Sequence, residues 1–513
     1  MELRNKHDEI MKKILIPALC SASPHLETEL EIMEHHLAQG NDVYYACCNR
    51  EIKTCFLHQY PSANTCCQCR KRLEVGLSLL SKKVHVLAWP DAPEMHLQGR
   101  YQVSDVAELK GLSVEGKNWG LCVASTLISL FVNEDFDTVA HAEIIQDNLD
   151  AAQYTYKAFG KLLDAVQPDM VYIFNGRFSV AAPILQVCKE KNIPFFTHER
   201  ANVNDRYRVV AQKLPHDAVP IVQECEELYA RHEHGEAKQI AHEFYAHRKD
   251  GSTLAGIVHT RLQTTHALPD GFDAQKKNIV FFNSSLFEFA ALPGFDKLAG
   301  FYLTEEDALL RVAQDALADP TIQIYCRMHP NLSGKNTRQV NNLRALAGAL
   351  PNLTIIPPES SVDSYALMEQ ASTVVIFHST MGAESSYWGK PVIVLGFASY
   401  GSMEGFYTPR SHPEMMQLLL GDLAPLPPVG AIKYGLWMRK GGTPYKYYSP
   451  STMFSGTFKG VDINKTASRA LLPEKIVRAL LALTGLHGAK AARDTLGQIK
   501  RKVSSLLSIP GGA

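Results

Sequence analysis

Apolar residues along this chain follow two alternating rhythms. Short runs rich in β-branched and aromatic residues stand at Lys13 to Leu19, Asp42 to Ala46, Met170 to Phe174 and Pro194 to Thr197. Between them, apolar residues recur at three- and four-residue spacing, as at Leu30, Met33 and Leu37. Continuous apolar runs predict strands buried on both faces, and the wider spacing predicts helices with one apolar side. The reading is strand, helix over Leu26 to Gln39, Gly40 as its stop, and strand again. Helices over Ala152 to Val166 and Ala181 to Lys191 flank the later pair of strands. Repeated strand–helix–strand units of this kind predict a parallel α/β sheet.

The rhythm then breaks and restarts. From Arg206 to about Ala274 the chain is rich in Glu, His, Lys and Ala, and Glu224 to Arg248 reads as a long charged helix. A second series follows, with strands at Asn278 to Phe282, Gln323 to Arg327, Leu353 to Ile356 and Thr373 to Phe377. Its helices are expected at Thr304 to Leu317, Asn336 to Leu350 and Val362 to Gln370. The expected organisation is an N-terminal Rossmann-like unit over 11–205 with a Cys-rich insertion at 47–72, and a mostly helical connection over 206–274. A C-terminal Rossmann-like unit over 275–465 and a helical tail over 466–513 complete it. The fold class is α/β, with two doubly wound units facing each other across a cleft.

Composition narrows the class. A hydrophobic fraction of 46% and a charged fraction of 20% over 513 residues suit a globular protein of two or three domains. A formal net charge of -1 supplies no field favouring nucleic acid or an anionic membrane, so no nucleic-acid partner is expected. No apolar run approaches the roughly 20 residues that span a bilayer. The opening MELRNKHDEIMKKILIPAL mixes acids with bases and lacks the order of a signal peptide, so a cytoplasmic location is expected. The tail carries a basic stretch, KAARDTLGQIKRKVSSLL. It reads either as a final helix packing back on the units or as a basic face for peripheral contact with the inner membrane.

The candidate chemistry lies at strand ends, where open α/β sheets hold ligands. The most informative segment is FHSTMGAESSYWGKPVIVLG, from Phe377 to Gly396. It reads as strand, polar turn, helix N-terminus and strand, with Ser379 and Thr380 beside N–H groups suited to a phosphate. Three further strand ends in this half are polar: Asn283-Ser284-Ser285, Arg327-Met328-His329-Pro330 and Pro358-Glu359-Ser360-Ser361. Arg327 offers a guanidinium fork for phosphate, and His329 a bond to phosphate oxygens or a proton for a leaving group. Each alone reads as well as a helix cap or turn. Four together point to a ligand.

RMHPNL, followed by HSTMGAESSYWGKPVIVLG, resembles the nucleotide-binding half of GT-B glycosyltransferases of bacterial capsule and surface polysaccharide synthesis. Capsule Kdo transferases, polysialyltransferases and CDP-glycerol glycerophosphotransferases share its His-Pro and Ser-Thr elements. FNSSLFEFAA, FNGRF and HER fit the same grouping, and the resemblance spans about 11–410. It implies that His329 and Pro330 touch the donor's nucleotide phosphate, that Ser379 and Thr380 lie at the phosphate, and that Ser284 and Ser285 line the opposite wall. Glu384 is expected to accept from ribose hydroxyls or to serve as an acid in a helix first turn. Inverting transfer needs a base on the acceptor hydroxyl; Glu199 in FFTHERAN is the first choice and His198 the second, with an ion pair to Arg200 or Arg177 as the structural alternative. The turn Asn175-Gly176-Arg177 is expected on the acceptor side. Where the grouping often has Gly after HER, this chain has Ala201.

The resemblance implies a donor linked to CMP or UDP and an acceptor on a growing polysaccharide or glycolipid. It leaves open a CDP-polyol phosphotransferase, a nucleotide-hexosamine 2-epimerase or a non-catalytic nucleotide-binding scaffold. No Asp-x-Asp element stands beside a suitable strand, so no catalytic metal is expected. The cysteines are a separate matter: seven of eleven fall between Cys20 and Cys69. Cys48, Cys55, Cys66 and Cys69 are candidate ligands for a structural zinc or an iron–sulfur cluster, with reduced thiols as the alternative and disulfides last.

Overall fold

A computed structural model describes residues 11–55, 62–251, 263–292 and 301–471. In its first half β1 (Lys13–Ala18), α1 (His25–Ala38) and β2 (Asp42–Cys47) form the first step of a parallel sheet. Helix α2 (Ala63–Ser78) leads to β3 (His85–Ala88). Helices α3 (Val106–Gly111), α4 (Trp119–Phe131) and α5 (Ala142–Val166) lead back to β4 (Met170–Phe174), and α6 (Ala182–Glu190) to β5 (Phe195–Arg200). Strand β6 (Arg206–Ala211) turns antiparallel along β5.

Two helices, α7 (Ala218–Ala230) and α8 (His234–Lys249), carry the chain to a second parallel sheet of β7 (Lys277–Phe282), β8 (Ile322–Arg327), β9 (Leu353–Ile356), β10 (Thr373–Ile376) and β11 (Val392–Val394). Its crossovers are α9 (Glu305–Asp315), α10 (Arg338–Ala345), α11 (Ser364–Glu369) and α12 (Met381–Tyr387), and α13 (His412–Leu420) follows the last strand. Helix α14 (Val429–Lys440) then returns along α8: Tyr245 donates to the Ala431 carbonyl at 2.6 Å, and a Cβ on Gly435 would stand 2.6 Å from the Tyr245 ring.

The core explains the unbroken apolar strands. In β1, Leu15 packs with Ala158, Phe159 and Ile184 on one face, while Ile14 and Ile16 pack with Leu26, Leu30 and Met33 on the other. In β7, Val280 and Phe282 face α8, α11 and α14, while Ile279 and Phe281 face α9, α10 and α13. Both faces are covered, so both parities are apolar.

The two sheets share one winding order. The first reads β3-β2-β1-β4-β5, extended by β6 and β12 (Thr443–Pro444), and the second reads β9-β8-β7-β10-β11. Each therefore reverses direction once, between β1 and β4 and between β7 and β10. Two doubly wound units facing across a cleft form the GT-B arrangement implied by the resemblance.

Three features depart from the sequence reading. The last part of the Cys-rich stretch expected as an insertion, from Ala63 on, is the start of α2, an ordinary crossover between neighbouring parallel strands. The expected connection contains β6, which belongs to the first sheet. After α14 the chain also returns to the first unit. There β12 pairs with β6, and Glu31 accepts the N–H groups of Lys446, Tyr447 and Tyr448. The hairpin of β13 (Tyr448–Thr452) and β14 (Ser455–Phe458) sets Tyr448 and Phe458 into the core around α1. These pairings are too short to leave a periodicity in the sequence. The basic stretch of the tail lies outside the described residues. Among the described residues, no helix is long and apolar enough to cross a membrane.

Candidate active site between the two sheets

The two reversal points open into one cleft of about 880 Å³. The first unit contributes His25 beyond β1, Asn175 and Arg177 beyond β4, and Glu199 and Arg200 at the end of β5. The second contributes Phe287, Glu288 and Phe289 beyond β7, His378 and Thr380 beyond β10, and Phe397 and Ser399 beyond β11. Arg248 of α8, Trp437 of α14 and the hairpin tip at Met453 and Phe454 complete the walls.

Glu199 is the one carboxylate on the first unit's wall among the described residues. Asn175 orients it, donating from Nδ2 to Oε2 at 2.8 Å, and the Arg200 N–H donates to Oε1 at 3.0 Å. His25 Nδ1 stands 3.8 Å from Oε1, and His216 Nε2 lies 3.2 Å from the Asn175 amide nitrogen. The Asn175-Gly176 turn that sets this geometry has φ of 59° and 94°. A Cβ on Gly176 would meet Leu185 at 2.7 Å and Leu214 at 2.9 Å, so the turn requires glycine there. Asn175 takes up a left-handed conformation that asparagine tolerates better than most residues.

Electrostatics separate the three titratable groups. Burial pushes the His25 and His216 imidazoles down to about 4, so both face Glu199 uncharged at neutral pH. Burial alone would raise Glu199, but His25 when protonated, the Asn175 amide, His216 and the Arg200 N–H together hold its carboxyl below the ordinary value. The amide and the backbone N–H act at every pH. Glu199 is thus an ionised, partly accessible carboxylate at neutral pH.

The depressed histidines carry a stability consequence. Their folded values lie below the unfolded one, so between pH 6.5 and 4 the unfolded chain binds protons that the folded chain refuses. Stability is full above that window and falls as the pH drops through it. At pH 5 each histidine is expected to cost about 1–2 kcal/mol relative to pH 7. Urea midpoints across this range should fall less steeply in His25→Gln/His216→Gln, and parallel curves would count against the assignment.

The opposite wall is built around a buried ion pair. Arg248 Nε donates to Glu384 Oε1 at 2.9 Å, with Glu384 only 1% exposed and Arg248 29% exposed. The Arg248 guanidinium also donates to Thr380 Oγ1 at 3.3 Å, and Thr380 donates on to Glu384 at 3.2 Å. The Tyr365 hydroxyl donates to the other Glu384 oxygen. Coulombic attraction to Glu384 raises Arg248 further above its ordinary range, so it is cationic throughout. Arg248 is thus a cation held in place at the cleft wall by a buried acid.

The expected site residues divide between the cleft and its surroundings. Glu199 and Thr380 line the cleft, as do Asn175 and Arg177. Ser379 does not line it; this residue is buried, and its hydroxyl accepts the Met381 N–H at 3.3 Å. Ser284, Ser285, His329 and Pro330 come together, with Ser285 Oγ 3.2 Å from His329 Nδ1, but stand behind the segment Leu286–Phe289. They connect to the cleft indirectly: Asn331 donates to Glu288 at 2.7 Å, and Arg177 donates to the Glu288 carbonyl at 3.5 Å. His198, the second choice for a base, is fully buried 3.6 Å from Glu29.

Two expectations are corrected. Arg327 does not meet a phosphate: it is 2% exposed and donates to the carbonyls of Met328, Pro357 and Ser360, bracing the ends of β8 and β9. Glu384 does not meet a ribose, because its oxygens are taken by Arg248, Thr380 and Tyr365. Sequence reasoning missed His25, His216, Arg248 and Trp437. A buried Glu among small residues signals a cationic partner, but that partner lies 136 residues earlier.

Cys48, Cys55, Cys66 and Cys69 share a smaller cavity, and no disulfide joins any of the eleven cysteines. Among the described residues no three His, Cys, Asp or Glu are grouped to hold a metal, so the thiols as arranged do not fit the zinc or iron–sulfur site. Burial also pushes Cys48 up to about 11 and raises Cys69, which opposes the thiolate form a metal needs.

No protein-family model matches the chain, and no curated protein matches it. Among solved structures it is similar to the β-Kdo 2,4 transferase KpsC of Thermosulfurimonas dismutans, at 15% identity over 52% of this chain and 79% of that one, with a TM-score of 0.32. It is similar to MnaA of S. aureus with UDP, at 11% identity over 93% and 98% of the two chains, with a TM-score of 0.24. It is also similar to the glycosyltransferase SnogD from Streptomyces nogalater, at 11% identity over 90% and 99%, with a TM-score of 0.25. At such scores the functional reading rests on the geometry of the cleft.

Proposed function

We propose that the protein transfers a glycosyl group from a CMP- or UDP-linked donor to a hydroxyl of a growing surface polysaccharide or glycolipid. The observation that carries the reading is the pairing of walls. An ionised carboxylate, Glu199, faces from one sheet, and an arginine locked by a buried acid, Arg248 with Glu384, faces from the other. Glycosyl transfer with inversion asks for these two functions on opposite sides of the reacting carbon. Glu199 takes the proton of the acceptor hydroxyl as it attacks. Arg248 meets the charge that builds on the departing phosphate, so the reaction needs no metal for that purpose. His329, Ser284, Ser285 and Pro330 serve the donor side by setting the segment that carries Glu288. The reaction takes place in the cytoplasm, at the inner membrane face where such acceptors grow.

A thermal-shift panel of CMP, CDP, UDP and GDP tests the donor half of this reading. A nucleotide at about 100 times its dissociation constant adds roughly 2.7 kcal/mol to stability. A shift with CMP or UDP that disappears in Arg248→Met is the expected result, and no shift with any of the four would sink the proposal. Release of a polyol phosphate from a CDP-polyol would move the reading to a phosphotransferase. Interconversion of a nucleotide hexosamine without acceptor would move it to an epimerase. Binding without turnover of any donor would leave a scaffold.

A further inference from the structure

Beside the cleft lies a second cavity of about 320 Å³ that the proposed transfer leaves unassigned. It sits beyond the carboxyl ends of β1 and β2, the ligand-binding edge of the first sheet. Leu19 to Ala22, the segment after Cys48, and α2 form its walls. Its charge is one-sided: Arg50, Arg70 and Arg72 line it, and no carboxylate does among the described residues.

Arg50 and Arg70 are poorly neutralised, whereas Arg72 forms a buried ion pair with Glu27. Arg70 donates to the neutral Asn49 amide oxygen at 2.8 Å, and no carboxylate among the described residues pairs with Arg70 or Arg50. Arg72 is 6% exposed. Its Nη2 is shared between Ser23 Oγ at 3.0 Å and Glu27 at 3.2 Å, while its Nε is buried without a hydrogen-bond partner. A buried charged donor left unsatisfied asks for an acceptor. Three of the thiols supply no counter-charge. Cys48 and Cys69 are raised by burial and stay protonated at neutral pH, as does Cys20. Ser21, Thr65, Gln68 and Asn464 add only neutral groups.

The cavity adjoins the cleft. Ala22 lines both, and Ser23, a cleft residue, accepts the bond from Arg72. We infer that this arginine- and thiol-lined cavity binds an oxyanion, a carboxylate or a phosphate monoester carried by the acceptor whose hydroxyl meets Glu199. The assignment to the acceptor rests on the transferase reading; the oxyanion site does not.

The thiols supply the readout. Alkylation of Cys48, Cys66 and Cys69 by iodoacetamide is followed by peptide mass on the full chain, at constant ionic strength. Inorganic phosphate, glucuronate and glucose are the probes. Phosphate or glucuronate is expected to slow alkylation at least threefold while glucose does not, and the stronger of the two identifies the group. Arg50→Gln/Arg70→Gln, at two exposed positions, is expected to abolish the protection. No protection by either anion, equal protection by glucose, or protection that survives the double substitution would overturn the oxyanion site. Protection without any nucleotide-induced shift would keep the site and overturn its assignment to an acceptor. A nucleotide shift without protection would remove the site and leave the transferase reading standing.

Discussion

Glu199→Gln is expected to lower kcat for glycosyl transfer by ~10²–10⁴-fold, the usual contribution of a positioned general base. The substitution keeps the shape of the side chain and its bond with the Asn175 amide, so the melting temperature and the nucleotide-induced shift should change little. KM for the donor should stay within a small factor, because the donor is held on the other wall. The wild-type rate should be independent of this group at neutral pH and fall only below pH 4.5, since the Glu199 carboxyl is held under that ordinary value. Retention of more than a tenth of wild-type kcat in Glu199→Gln would mean that the base lies elsewhere.

The second large effect concerns the buried pair. Removing one partner strands the other charge, and such losses run to about 3–5 kcal/mol. Arg248→Met leaves Glu384 with only the hydroxyls of Thr380 and Tyr365, so a loss of about 3 kcal/mol is expected, together with loss of the nucleotide response. Arg248→Met/Glu384→Gln separates the two roles. A glutamine carries no charge, and its carbonyl accepts from one hydroxyl while its amide donates to the other, so most of the stability should return while nucleotide binding does not. Urea unfolding measures the first quantity and nucleotide titration the second. A single variant that binds nucleotide with unchanged Kd would show that Arg248 only holds α8 against α12.

Much of this architecture is legible before any coordinates. The strand stretches ILIPA, MVYIF and IVFF are apolar at every position because helices cover both of their faces, and that local cause leaves a local trace. The Asn175-Gly176 turn is legible too, since a positive φ selects these two residues. The strand-end residues were a harder case. Ser284, His329, Ser360 and Ser379 look equivalent in sequence, each a polar group after an apolar run.

Strand order makes them unequal. In the sequence β9-β8-β7-β10-β11, the reversal point falls between β7 and β10, so His378 and Thr380 face the cleft while β8 and β9 lie on the far side. Arg327 and His329 at the end of β8 therefore serve the loops around them. The same applies to Glu384, whose surroundings come from α8, on the other side of the second unit in sequence but against α12 in space. Periodicity along a chain records which positions are buried, because burial is set residue by residue. It carries no record of what they are buried against, because that is set by the order in which strands pair and by contacts between segments hundreds of residues apart. The two doubly wound units are written in the first kind of information; the pairing of Glu199 with Arg248 across the cleft exists only in the second.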